Sequence, residues 1–142
     1  MKKLTTKLTI ATAALVVTAC AASAQTMRAA IPFEFRVGNR VMPAGTYRVS
    51  LSQPSGAPIF ELSNVHSGRS AIVVGQVPDD PRKEWEAEGN PKLAFACASG
   101  RCALARLWAR SGSHAYKVPR PKRETGEDEY LTVIPMQRDK GE

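Results

Sequence analysis

The sequence contains few side chains with the reactivity that a functional site needs. Two of them are cysteines that lie close together in the second half of the chain. Cys97 and Cys102 flank the dipeptide Ser99-Gly100, which suits a two-residue hairpin turn because glycine tolerates the positive φ of such turns. The cysteines would then face each other as a non-hydrogen-bonded pair, with Cα atoms about 4.5 Å apart. Such closely approaching side chains are suited to a disulfide. We predict that Cys97 and Cys102 form a structural disulfide.

Two other roles for these cysteines stay open as alternatives. Their spacing is C-x4-C, whereas thiol oxidoreductases use C-x-x-C, so a redox couple fits less well. A zinc site would require His66 and His114 to converge on the same hairpin. A disulfide needs neither the C-x-x-C spacing nor nearby histidines. It is also the usual state of such a cysteine pair in an exported protein.

The two histidines are candidates for a general base. His66 follows Asn64-Val65, and His114 follows Ser111-Gly112-Ser113. Either could activate a serine, which leaves a small hydrolase as a distant alternative, but both are interpreted as polar turn residues. The sequence has no G-x-S-x-G, no H-E-x-x-H, no phosphate-binding glycine loop and no dinucleotide fingerprint. We therefore predict no enzymatic activity, no catalytic residue, no cofactor and no metal.

Trp85 is the one candidate for direct contact with a ligand. It lies between charged residues, in Lys83-Glu84-Trp85-Glu86. An exposed indole would stack on a sugar or on a partner surface, whereas an indole folded back over the domain would be part of its packing. Both interpretations stay open here. Trp108, at the end of a predicted strand, is expected in the core.

The first 24 residues have the layout of a bacterial secretory signal peptide. A start with Lys2, Lys3 and Lys7 precedes the apolar run Leu8–Ala19, and a small-residue cleavage site follows at Ala22-Ser23-Ala24. The apolar run, about twelve residues, is too short to cross a hydrocarbon layer of roughly 30 Å as a helix. We predict export, with residues 1–24 removed and a periplasmic or extracellular location.

Cys20 offers a second way of processing this leader. Val17-Thr18-Ala19-Cys20 resembles a lipobox, and acyl chains on Cys20 would anchor the protein to a membrane. Cleavage after Ala24 and lipidation of Cys20 therefore both remain open, and membrane attachment is expected only in the second case. Loss of the leader lysines lowers the formal net charge from +7 to +4, which removes much of the support for nucleic-acid binding; we predict no nucleic-acid partner.

The elements that position these residues are predicted to be short strands. The length of 142 residues fits one domain and excludes a TIM barrel. Apolar residues alternate over Ile31–Val37 and over Tyr47–Leu51, which indicates two half-buried strands. Gly38-Asn39 suits a hairpin turn, and Pro43-Ala44-Gly45 suits a turn that ends in a left-handed bulge glycine.

The remainder of the chain continues in the same way. We predict a strand over Ile59–Ser63, a turn at Ser67-Gly68 and a strand over Ala71–Val77 that is buried on both faces. Residues 79–91 are predicted to be an exposed loop with one helical turn, and residues 92–109 form the hairpin that carries the cysteines. The predicted fold is an all-β, small antiparallel barrel or sandwich of six to seven strands. Residues 25–118 are assigned to it, and residues 119–142 to a charged C-terminal segment with an edge strand over Tyr130–Ile134.

Two motifs of the mature chain form a recognisable pattern. The first runs from Ile31-Pro32-Phe33-Glu34-Phe35 to Val37-Gly38 and continues in Pro43-Ala44-Gly45-Thr46-Tyr47 and Val49. The second comprises Leu93-x-Phe95, Leu104-x-x-Leu107-Trp108 and Val118-Pro119. Together they resemble motifs of a family of small exported bacterial proteins that is abundant in acidobacteria. The resemblance implies a small β-rich exported domain and transfers no catalytic residue. Members of the family commonly lack the cysteine pair.

These observations lead to one functional expectation. The protein is expected to be an exported, non-enzymatic β-domain with a structural or binding role at the cell envelope, where its partner is an envelope protein or a glycan. A module that binds carbohydrate or an envelope polymer through Trp85 is the alternative.

Overall fold

The computed structural model describes residues 25–52, 57–76, 78–110, 112–120 and 128–139. The predicted signal peptide and Cys20 lie outside these ranges, as do parts of the loop after Ser52 and of the charged segment after Arg120.

The described part of the chain consists of twelve strands and one short helix. They are β1 (Gln25–Ile31), β2 (Phe35–Val37), β3 (Arg40–Met42), β4 (Gly45–Ser52), β5 (Ile59–Asn64), β6 (Ser70–Val74), β7 (Pro78–Asp79), α1 (Lys83–Glu88), β8 (Lys92–Ala98), β9 (Arg101–Trp108), β10 (Ala115–Lys117), β11 (Tyr130–Pro135) and β12 (Gln137–Arg138). The all-β prediction is confirmed. The strands outnumber the six or seven expected because several of them contain only two or three residues.

The strands form two sheets. The first sheet has the order β12-β1-β4-β5-β6, and the second has the order β11-β8-β9-β10-β7, with β2 paired to β9 and β3 paired to β2. Every pairing is antiparallel except that of β2 with β9. Side chains from both sheets meet in one buried core, so the fold is a β-sandwich.

Aromatic rings join the two sheets at the centre of this core. The ring of Phe35, from the second sheet, lies 5.1 Å from that of Tyr47 in the first sheet and 5.2 Å from that of Phe95. Both contacts are edge-to-face, the geometry that aromatic quadrupoles favour. The predicted inward direction of Phe35, Tyr47 and Val49 is confirmed, since each is at most 1% exposed.

The opening motif is divided between the sheets, although a single strand was expected. β1 ends at Ile31 in the first sheet, and β2 begins at Phe35 in the second. Pro32 has no N–H with which to continue the ladder of β1, which suits a strand end at this point. The predicted hairpin turn at Gly38-Asn39 is confirmed, with Val37 opposite Arg40.

The prediction for the turn at Pro43-Ala44-Gly45 is wrong in its geometry. This segment joins β3 in the second sheet to β4 in the first, so it closes no hairpin and contains no bulge. The φ of Gly45 is +154°, outside the left-handed helical region. A Cβ at this position would lie 2.8 Å from Nδ2 of Asn64, so close approach and an unusual φ both favour glycine.

The prediction that the strand after Ser70 is buried on both faces is also wrong. β6 is the last strand of the first sheet, and its side chains alternate between buried and exposed. Ile72 is 69% exposed and Val74 is 50% exposed. A short apolar run does not reveal how many neighbours a strand has. In β6 the side chains on the inner face of the sheet are buried, and those on the outer face are in solvent.

A β-bulge explains the spacing of Leu104 and Leu107. Phe95 pairs with Leu104, whereas Ala94 pairs with Arg106, so Ala105 is an extra residue in β9. Without it, two residues three apart would point to opposite faces of a strand. With it, Leu104 and Leu107 both enter the core, and Trp108 points to the outer face.

That outer face of the second sheet is covered by α1. Trp85 from α1 packs on Trp108 in a second buried cluster with Ala94 and Ala115. The helix ends at Gly89, whose φ is +74° and whose N–H donates to the Trp85 carbonyl at 2.9 Å. The predicted helical turn is confirmed, and its role is to cover the sheet.

The C-terminal segment supplies an edge strand to each sheet. β11 pairs with β8 over six positions, as the predicted edge strand required, and β12 pairs with β1. Between them Met136 is 1% exposed, and its N–H donates to the Pro91 carbonyl at 2.8 Å. The described part of this segment is therefore integral to the sandwich.

Candidate functional site

The outer face of the first sheet carries a polar concavity, which we call the sheet groove. Its volume is about 510 Å³, and it is lined by Arg28, Arg48, Ser50, Glu61, Ser63, Asn64 and Val65. These residues belong to β1, β4, β5 and the turn after β5. The groove therefore crosses the middle of the sheet.

Strand register brings the polar side chains into rows. Arg28 lies opposite Arg48, and Arg48 lies opposite Ser63. Ser50 lies opposite Glu61 in the next outward-facing row. Directly opposed side chains in neighbouring strands have Cβ atoms about 5 Å apart. Residues from three strands thus form one continuous surface.

One carboxylate orients both arginines of the groove. Oδ2 of Asp139 lies 3.2 Å from Nε of Arg48 and 3.4 Å from Nε of Arg28. The main chain fixes the position of this carboxylate, since the Asp139 N–H donates to the Thr26 carbonyl at 2.9 Å. Each guanidinium also has four N–H donors on its Nη atoms. The arginines are about half exposed, so these groups can reach a ligand.

The charges of the groove are balanced. Arg28 and Arg48 carry two positive charges, and Asp139 and Glu61 carry two negative charges. N–H donors are concentrated at β1 and β4, a carboxylate acceptor lies on β5, and Ser50 and Ser63 supply hydroxyls. This arrangement suits a ligand with both hydroxyl and carboxylate groups better than it suits a polyanion.

Asn64 has a structural role at the end of the groove. Its side chain accepts hydrogen bonds at Oδ1 from the N–H groups of His66 and Ser67, both at 2.9 Å. Such an Asx-type turn stabilises the connection between β5 and β6. Asn64 is 5% exposed and contributes shape more than contacts to the groove.

The predicted disulfide is present in the structure. Cys97 and Cys102 are bonded, with a Cα–Cα distance of 4.1 Å, at the end of the β8–β9 hairpin. Ser99 and Gly100 both have positive φ, +50° and +75°, as a type I′ turn requires. Both sulfurs are committed to this bond, and a disulfide in a small β-domain indicates an oxidising location outside the cytoplasm.

Trp85 does not offer an exposed ring. It is 4% exposed, and its ring centroid lies 6.2 Å from that of Trp108. The interpretation in which Trp85 stacks on a sugar is therefore wrong, because an indole buried between a helix and a sheet has no free face. Trp108 is fully buried as expected, and its Nε1 donates to the Ser113 carbonyl at 3.1 Å.

Both histidines are exposed. His66 lies in the turn after β5, as interpreted from the sequence, whereas His114 follows a turn and immediately precedes β10. Within the described ranges, no three histidine, cysteine or acidic side chains are grouped so that they could hold a metal ion.

In the basic C-terminal segment, Nη1 of Arg120 lies 3.1 Å from Oε1 of Glu129, and residues 121–127 lie outside the described ranges.

Sequence reasoning did not identify the groove. Arg28 stands outside the predicted strands, and Arg48 appeared only as the polar partner of an alternating pattern. The signal was present as outward-facing polar residues in successive strands, but alternation alone does not say which strands are neighbours. Asp139 lies 91 residues from Arg48, so its contact had no local signal at all.

Comparison with protein-family models, with curated proteins and with solved structures finds no match to this chain. The family resemblance of the opening motif therefore stays a prediction. Over the described residues, no helix has the length and apolarity needed to cross a membrane.

Proposed function

We propose that this protein is an exported, non-enzymatic binding domain of the bacterial cell envelope. Its ligand is an envelope glycan that carries carboxylate and hydroxyl groups, and its binding surface is the sheet groove. The observation that carries this proposal is the pair Arg28 and Arg48, placed side by side on neighbouring strands and oriented by the Asp139 carboxylate.

The location rests on two independent features. The first 24 residues have the three-part pattern of a secretory leader, and the disulfide fits an oxidising compartment. Within the proposal, the mature protein is periplasmic or extracellular, and lipidation at Cys20 remains the alternative that would hold it on a membrane. The opening motif supports membership of the exported family that it resembles.

The ligand class follows from the donors and acceptors in the groove. A guanidinium binds a carboxylate through two parallel hydrogen bonds, which gives geometric specificity. Glu61 and the two serines are suited to the hydroxyls of a neighbouring sugar. The groove therefore replaces Trp85 as the surface for the carbohydrate- or polymer-binding alternative. None of the described contacts of His66 or His114 supports a hydrolase.

Binding of an acidic oligosaccharide tests the proposal. The probe is a disaccharide of one uronic acid and one neutral sugar, titrated into the mature protein by calorimetry, and its methyl ester is the uncharged control. We expect the acid form to bind and the ester to bind more weakly, because a neutral ester forms no charge-assisted pair with arginine.

Two matched variants locate the binding surface. Arg48→Gln should weaken binding of the acid form about tenfold, the loss of one charge-assisted hydrogen-bonded pair. Arg36→Gln, an exposed arginine in β2 of the other sheet, should leave it unchanged. Equal binding of acid and ester, or equal binding by Arg48→Gln and Arg36→Gln, would rule out the groove as the site.

A further inference from the structure

We propose that the open edge of β6 accepts an extended segment of a partner polypeptide as an added strand. The segment has apolar residues at alternate positions and acidic residues at its C-terminal end. This site uses the main chain at the free edge of β6, one strand beyond Glu61 of the sheet groove, and does not depend on ligand binding in the groove.

The alternation of hydrogen-bonded residues along β6 shows which main-chain groups face the open edge. The Asn64 N–H donates to the Arg69 carbonyl at 2.8 Å, and the Gly75 N–H donates to the Pro58 carbonyl at 2.9 Å. In an antiparallel ladder these bonded pairs recur at every second residue. The main chain at Ala71 and Val73 therefore faces β5, whereas the N–H and C=O groups of Ile72 and Val74 face outward.

Both ends of this open edge are bounded. At the start of β6, Nη1 of Arg40 donates to the Ser70 carbonyl at 2.7 Å. Beyond the end of β6, the Gln76 N–H donates to the Lys117 carbonyl at 2.9 Å, which joins the two sheets. Within the described residues, β6 pairs only with β5. The available length thus comprises the four main-chain groups of Ile72 and Val74, enough for a short added strand.

The side chains of the same two residues form an apolar surface. Ile72 is 69% exposed and Val74 is 50% exposed, and both point to the outer face of the sheet. A partner strand beside β6 would place its own side chains next to them on that face. Strand addition would therefore satisfy the open main-chain groups and cover the exposed apolar area together.

Charge indicates an acidic partner rather than a second copy of this chain. Arg40 and Arg69 are both exposed and stand at the start of β6. An antiparallel partner brings its C-terminal end to this point, where carboxylates would meet the two guanidinium groups. A second copy paired through β6 offers no carboxylate, because residues 65–76 contain neither aspartate nor glutamate.

The test uses a synthetic peptide, acetyl-Val-Thr-Val-Thr-Asp-Asp-amide, and a second peptide in which lysines replace the aspartates. Binding to the full-length mature protein is followed by amide NMR. We expect saturable shifts for the aspartate peptide, centred on the amides of Ile72 and Val74, with slower hydrogen exchange at both. The lysine peptide should bind at least about tenfold more weakly.

Two variants distinguish strand addition from non-specific hydrophobic binding of the peptide. Ile72→Pro removes an outward N–H without removing a bond to β5, and should weaken binding of the aspartate peptide at least about tenfold. Arg69→Glu should reverse the preference between the two peptides, and it decides the matter if Ile72→Pro does not fold. Tyr130→Thr changes an exposed apolar residue in β11 of the other sheet and should have no effect.

Three results would overturn the proposal. One is the absence of saturable binding to the wild-type protein, and another is unchanged binding by both Ile72→Pro and Arg69→Glu. The third is a concentration-dependent dimer, seen by sedimentation, that Ile72→Pro abolishes, because β6 would then pair with a second copy.

Discussion

At the scale of single residues, the aromatic contacts of Phe35 carry the most weight. Its ring touches Tyr47 of the first sheet and Phe95 of the second, and it is 1% exposed. Arg36, the next residue, is exposed on the outer face. Phe35 therefore contributes to the stability of the core, whereas Arg36 points to solvent, because successive side chains of a strand point to opposite faces.

We predict that Phe35→Ala severely destabilises the protein. Loss of a buried phenylalanine ring costs about 3–5 kcal/mol, a large share of the roughly 5–15 kcal/mol that stabilises a domain. Thermal melts should show a fall of more than about 10 °C in the melting temperature.

Arg36→Ala is the matched control and should melt within about 2 °C of the wild type, because an exposed side chain contributes little. A soluble Phe35→Ala protein with an unchanged melting temperature would show that this ring is not part of the packing.

Among the secondary-structure elements, the β8–β9 hairpin shows most clearly how residues close along the chain fix the local structure. The turn at Ser99-Gly100 places Cys97 opposite Cys102, and the bulge at Ala105 restores the inward direction of Leu107. The disulfide closes a loop of only a few residues. Its contribution through the chain entropy of the unfolded state is therefore modest.

We predict that the purified mature protein contains no free thiol and that reduction lowers the free energy of unfolding by about 2 kcal/mol. A thiol titration under denaturing conditions measures the first, and denaturant curves with and without reductant measure the second. The Cys97→Ala, Cys102→Ala double variant should match the reduced protein. Titration of two thiols in the oxidised protein would contradict the disulfide.

The same scale explains the role of α1. Glu84 and Glu86 are exposed on this short helix, while Trp85 packs onto Trp108. The helix has no side-chain N-cap hydrogen bond, and so short a helix is not stable on its own. Its contact with the second sheet is what keeps it folded.

We predict that Trp85→Ala lowers the free energy of unfolding by about 3 kcal/mol, the lower part of the range for loss of a buried tryptophan. Denaturant unfolding measures this loss, and near-ultraviolet circular dichroism should show a change in the environment of Trp108. Binding of the acidic disaccharide should persist, because α1 lies on the opposite side of the sandwich. A protein that loses glycan binding with unchanged stability would restore Trp85 as the contact residue.

For the molecule as a whole, the proposed export is consistent with the disulfide of the fold. An exported chain meets an oxidising compartment, where Cys97 and Cys102 are able to pair. Because β1 spans Gln25–Ile31, removal of residues 1–24 would leave every described strand intact.

We predict that mass spectrometry of the native protein finds Gln25 as its N-terminal residue, with lipid-modified Cys20 as the second accepted outcome. Fractionation should place the first form among soluble exported proteins and the second with membranes. An intact Met1 in the cytosolic fraction would contradict export.

Features whose partners are close along the chain could be predicted from the amino-acid sequence alone. The hairpin at Gly38-Asn39, the strands around Tyr47 and Leu62, and the Cys97–Cys102 pair all follow from local turn chemistry and period-two alternation. Such features depend on a few neighbouring residues and on backbone geometry that each residue type favours. They were predictable for that reason.

The pairing of strands, in contrast, became known from the three-dimensional structure. It divided the opening motif between the two sheets, left β6 at an edge and buried Trp85 under α1. It also brought Arg28, Arg48 and Asp139 together across most of the chain. Alternation states which face a residue occupies but not what lies opposite, because strand pairing depends on how the whole chain closes around one core.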